Sequence, residues 1–77
     1  MKTELFAQRL QIAMYWNEWT GADLARKASI PASTISRYIC GQRQPNVERL
    51  IKLSTALNVS ADYLLGLSDV MKRSEAD

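Results

Sequence analysis

The chain has 77 residues, 47% of them hydrophobic, and a net charge of +2, which fits one small folded domain with a single modest core and argues against disorder. No apolar run approaches the length of a membrane span, and the N-terminus lacks the basic-then-apolar layout of a signal peptide. With no histidine and one cysteine, Cys40, the chain has neither the ligands for a conventional zinc site nor an internal disulfide framework, which suits a reducing cytoplasm.

Five helical segments are predicted, and no stretch alternates as a strand would. The first runs from about Thr3 to Trp16, with Phe6, Leu10 and Ala13 on one face and Thr3 as its cap. Asn17-Glu18 breaks it, and Trp19 plugs the core beneath the turn. Thr20 caps a second helix that continues through Ala28, with Ala25 small enough for a steep helix crossing. After the break Ser29-Ile30-Pro31, a third helix covers Ala32 to Cys40 and stops at Gly41, where a left-handed cap costs glycine little. Ile30, Ile35 and Tyr38 or Ile39 form its apolar side. Asn46 caps a fourth helix with Val47, Leu50, Ile51, Ser54 and Leu57 as one stripe; Asn58 ends it. Ser60 caps a short fifth, Ala61 to Leu65, closed by Gly66. The fold expected is all-α, a compact five-helix domain over residues 1–66, followed by a tail, 67–77, frayed or partly helical.

Charge is unevenly placed. Between Arg26 and Lys52 stand six cations against Glu48 alone, a local charge of +5, while four cations and seven acids leave the rest at −3. Such asymmetry steers a polyanion toward one face, although a solvated basic surface would look the same. The third helix leaves Ala32, Ser33, Ser36 and Arg37 facing outward. A short, weakly apolar helix with one projecting cation is a poor enzyme site and a good object for a DNA major groove.

Thr20 to Gly41, Gly41 to Asn46, Leu50 to Ser60 and Asp62 to Gly66 together resemble the helix-turn-helix domain of the phage-repressor-like (lambda-repressor-like) XRE family, over roughly residues 3 to 66. The spacing of Leu24-Ala25, Thr34-Ile35-Ser36, Gly41, Pro45 and Leu57-Asn58-Val59-Ser60 makes the resemblance specific. It implies sequence-specific binding of double-stranded DNA by a transcriptional regulator, expected to be a repressor of bacterial or phage origin. Base contacts fall to Ala32, Ser33, Ser36 and Arg37. An arginine fork on guanine O6 and N7 discriminates by roughly 1–3 kcal/mol, the serines tolerate several bases, and the Ala32 methyl suits a thymine methyl. Phosphate contacts fall to Thr20, Gly21 and Ala22 at the start of the second helix, and to Gln42, Arg43, Gln44 and Asn46 in the following loop. Asn46 can also serve only as a cap.

Five positions depart from the family pattern, two of them as a pair. Gly21 stands where Gln is common, Ser29 where the turn has Gly, and Pro31 where a Ser caps the recognition helix. Met14 and Ile39 replace an Arg–Glu pair; both being apolar, they are expected to touch.

One recognition helix reads few base pairs, so a homodimer on a palindromic operator is expected, and the resemblance implies self-association through the fifth helix or tail. Tyr63, Leu64, Leu67 and Val70 are the residues concerned, Tyr63 serving equally as core. Leu5, Ile12 and Trp16 make a second stripe on the first helix: core burial for Leu5, and for Trp16 a partner surface or a dock for Leu67, Val70 and Met71. Cys40 fits a buried or inert thiol better than a redox switch. No catalytic constellation, cofactor site or metal site is present in the sequence pattern. The rival is a protein-interaction module, antitoxin- or anti-repressor-like, using the Ile12/Trp16 surface. The Met1 start and charged ending suit a complete small protein; the isolated DNA-binding part of a longer repressor is the other reading.

Overall fold

In the computed structural model, which describes residues 3–72, the helices start and stop where local chemistry dictates. They are α1 (Thr3–Asn17), α2 (Gly21–Ala28), α3 (Ala32–Ile39), α4 (Val47–Leu57) and α5 (Ala61–Leu65). The Thr20 hydroxyl accepts from the Asp23 amide, and the Asp23 carboxylate accepts from the Thr20 amide, a reciprocal box that satisfies two free donors. Asn46 Oδ1 accepts from the Arg49 amide at 2.8 Å and Ser60 Oγ from the Tyr63 amide at 2.9 Å, so α4 and α5 begin as predicted. Gly41, at φ 74°, closes α3: its amide donates to the Tyr38 carbonyl and that of Gln42 to the Arg37 carbonyl.

The core forms where these helices converge. Phe6, Leu10, Ala13 and Met14 of α1 are buried with Leu24, Ala25 and Ala28 of α2, Ile30, and Ile35 and Tyr38 of α3. Phe6 and Tyr38 meet edge to face, ring centroids 6.0 Å apart, so α1 backs α3 directly. Met14 is buried, and Ile39 and Trp19 pack on the core's margin. Asn17, the last residue of α1, donates to the carbonyls of Ala13 and Leu57, and Glu18 then turns the chain at φ 58°.

Three expectations are corrected. The buried stripe of α4 is Leu50, Leu53, Ser54 and Leu57; Val47 and Ile51 are exposed, because the helix turns Leu53, fully buried, into the core and leaves Ile51 at its margin. Tyr63 and Leu64 are core residues, 7% and 0% exposed, because α5 lies on α1 with that side inward, which removes them from any partner surface. Residues 67–72 contain no helix. They return along α1 instead: the Ser60 amide donates to the Met71 carbonyl at 2.7 Å, and Val59 bridges to Lys72. Met71 packs against the core while Leu67 and Val70 stay exposed. The predicted tail's remainder, 73–77, lies outside the described residues.

Candidate nucleic-acid interface

The polar face of α3 follows from the burial of its other side. With Ile35 and Tyr38 1% exposed each, helical spacing turns Ala32, Ser33, Ser36 and Arg37 outward, and all four are exposed. Arg37 takes part in no ion pair among the described residues, so its guanidinium keeps its full set of donors. Pro31 is the cap residue itself and, as proline must, makes no side-chain cap; its carbonyl accepts from the Thr34 and Ile35 amides. Among the described residues, the first amides of α3 thus lack a side-chain cap.

Ser29 adopts the left-handed conformation, φ 57° and ψ 45°, that ends α2 and redirects the chain into α3. Glycine's usual place in this turn is thus filled by a residue with a Cβ, at a conformational cost. Gly21 is the first residue of α2, and a Cβ there would stand 3.3 Å from Ile39 Cδ1. Ile39 therefore borders the space that a side chain at Gly21 would enter, and would have to shift slightly to admit one.

The proposed phosphate-facing residues fall into two groups. Thr20 and Ala22 are exposed and Gly21 half-buried at the positive end of α2, but the Thr20 amide is already taken by Asp23. Asp23 was not foreseen as part of the site, although Thr20-x-x-Asp23 is a capping signature legible in the sequence. Hydrogen bonds from the Thr20 amide, from Arg26 at 3.1 Å and from the Thr20 hydroxyl hold its carboxyl below the ordinary value, so an anionic group sits beside the amides offered to phosphate. Gln42, Arg43, Gln44 and Asn46 form the second group, all exposed after α3; Gln44 also donates to Thr3 Oγ1 at 3.0 Å.

Of the predicted partner surface, Ile12 (43% exposed), Trp16 (69%), Leu67 (75%) and Val70 (64%) are open. Leu5 is half-buried and lies against Gly66, where an added Cβ would come within 2.5 Å of its Cδ2. Trp16 lines a shallow hollow with Leu57, Val59, Met71 and Lys72, so the returning tail reaches it through Met71. Arg9, passed over in the sequence, is the residue that holds that tail. It donates to the carbonyls of Tyr63 and Ser68 and to Asp69, and lies 4.5 Å from the Tyr63 ring centroid. Cys40 is exposed.

Two short helices joined by a left-handed turn, the second buried on one side and polar on the other, within five helices, define a repressor-type helix-turn-helix domain. The chain belongs to the helix-turn-helix family, whose pattern matches residues 16–64. It is 39% identical over 70 residues to the HTH-type transcriptional regulator ImmR of Bacillus subtilis (strain 168), an alignment covering 91% of this chain and 55% of that protein. It is 32% identical to the uncharacterized HTH-type transcriptional regulator YobD of the same organism, over 84% of this chain and 58% of that one. The chain thus spans about half the length of these curated relatives. Its fold matches the solution structure of the DNA-binding domain of the P22 C2 repressor with a TM-score of 0.76 at 32% identity, covering 91% of this chain and 95% of that one. It is a helix-turn-helix domain of the type these transcriptional regulators carry. No helix among the described residues is long and apolar enough to cross a membrane.

Proposed function

We propose that this chain reads a specific double-stranded DNA sequence with α3, as a homodimer on a palindromic operator, and represses transcription by occupying it. The observation that carries the reading is the outward face of Ala32, Ser33, Ser36 and Arg37, with Arg37 in no ion pair among the described residues and Tyr38, on the buried side of α3, packed on Phe6 of α1. Arg37 reads guanine; the serines and the Ala32 methyl refine the neighbouring positions. The Gly21 and Ala22 amides and the loop Gln42 to Asn46 grip phosphates on either side. Self-association draws on Ile12, Trp16, Leu67 and Val70, apolar side chains left open along α1 and the returning tail.

Selection from random duplexes, followed by salt titration of wild type and Arg37→Ala on the winning sequence, tests this. The expected result is a palindromic site and a loss of preference at one base per half-site in Arg37→Ala. Enrichment of no sequence, with binding that merely fades as salt rises, would reduce the basic face to nonspecific attraction. A second reading, a protein-interaction module, has the exposure of Trp16 and Ile12 in its favour; tight protein binding abolished by Trp16→Ala and indifferent to Arg37 would favour it.

A further inference from the structure

The final turn of a helix leaves carbonyls without intrahelical partners, and α3 satisfies them one by one. Ser36 O accepts from the Cys40 amide at 3.0 Å, Arg37 O from Gln42 at 2.9 Å and Tyr38 O from Gly41 at 3.2 Å. The Ile39 carbonyl is supplied from elsewhere in the chain: Gln11 Nε2 of α1 donates to it at 2.9 Å. The same residue's side chain rests over Gly21 on α2. Ile39 is thus where the recognition helix is tied to both of its neighbours, by an apolar contact on one side and a polar one on the other.

We propose that Gln11 is a positioning residue for α3, fixing the end of the helix that carries Arg37 through the Ile39 carbonyl. The inference rests on α3 being the DNA-reading helix. Gln11 is exposed and lies on α1 away from the outward face of α3, so it acts through the helix and not on a base. The side chain's chemistry is what matters. An isosteric glutamate has no donor for a carbonyl and places a negative charge at the negative end of a helix. A lysine keeps a donor and brings the favourable sign.

The test compares wild type, Gln11→Glu and Gln11→Lys by amide hydrogen exchange and by preference among duplexes differing at the base Arg37 reads. Gln11→Glu is expected to speed exchange of the Gly41 and Gln42 amides by about two- to tenfold relative to amides of α4, the range that one net hydrogen bond commands. It should lower discrimination at the Arg37 base by a similar factor, with Gln11→Lys close to wild type in both. Unchanged exchange at Gly41 and Gln42, or exchange accelerated equally throughout the protein, would overturn the proposal. So would equal losses in the glutamate and lysine variants. If wild type selects no duplex, the DNA reading fails by itself, and the exchange comparison still decides whether Gln11 holds the end of α3.

Discussion

A Cβ on Gly21 would stand 3.3 Å from Cδ1 of Ile39 and 3.8 Å from Cγ2 of Ile35. Glycine at the opening of α2 is therefore matched to isoleucine at the end of α3. Two effects oppose each other in Gly21→Ala: a helical alanine gains up to about 1 kcal/mol over glycine, while the tight contact forces Ile39 to give way. Ile39 is only half-buried and can shift, so the single change should fall within about 0.5 kcal/mol of wild type. Ile39→Val removes the crowding atom. Denaturant unfolding of both singles and the double should show Gly21→Ala stabilising in the valine background by more than in wild type; additive effects would mean the two residues do not compete for space.

Ser29 and Glu18 both hold positive φ, 57° and 58°. Each carries a Cβ in a conformation that costs an L-residue roughly 1–2 kcal/mol, partly offset because glycine loses more freedom on folding. Ser29→Gly and Glu18→Gly should each raise stability by about 0.5–1 kcal/mol, several degrees in melting temperature for a domain of this size. Asn58, at φ 56°, serves as the control: asparagine tolerates this region, and Asn58→Gly should gain less. A loss of stability in Ser29→Gly would show that the serine makes up its strain elsewhere.

The pattern of caps and stops made the five helices legible because each signal is local: Thr20, Asn46 and Ser60 hold the next turn's amides, and Gly41 and Gly66 need only their own backbone freedom. The outward face of α3 was legible too, since Ile35 and Tyr38 leave one side for the core. What could not be read depended on contacts between distant segments. Val47 and Ile51 look like part of the stripe until the core takes Leu53, and Tyr63 looks like a possible interface until α5 is laid on α1. Arg9 and Gln11 carried no sequence signal, because their partners are main-chain carbonyls at Ser68 and Ile39, to which side-chain identity is blind.

Asp23 links stability to pH with a definite sign. Its folded carboxyl titrates below the ordinary value, chiefly through the Thr20 amide and then Arg26, so its contribution is complete above the unfolded value of about 4. That contribution is lost as pH falls through the lower folded value. Melting temperature followed from pH 6 to pH 2 should fall less steeply in Asp23→Asn, which has no charge to lose. The same substitution withdraws an anion from beside the Gly21 and Ala22 amides, so it should tighten duplex binding at low salt. Weaker binding would indicate that the capping box itself sets the phosphate site.

Arg9 gives the sharpest separation between a buried tie and a surface one. Its side chain is 15% exposed and its bond to the Ser68 carbonyl spans 2.6 Å, whereas Asp69, its salt-bridge partner, is 96% exposed. Water screens the Asp69 pair, and Asp69→Ala should cost no more than about 1 kcal/mol. Arg9→Ala instead strands two part-buried carbonyls, Tyr63 and Ser68, and uncovers the Tyr63 ring, for an expected loss of about 2–3 kcal/mol. Arg9→Lys keeps the charge and one nitrogen for the carbonyls but loses the second nitrogen that reaches Asp69 and the planar group over the Tyr63 ring, and should lie between the two. Base preference should survive in every one of these variants, because none touches α3. If Asp69→Ala proved as costly as Arg9→Ala, the ion pair and not the carbonyl clasp would be what ties the returning tail to α1.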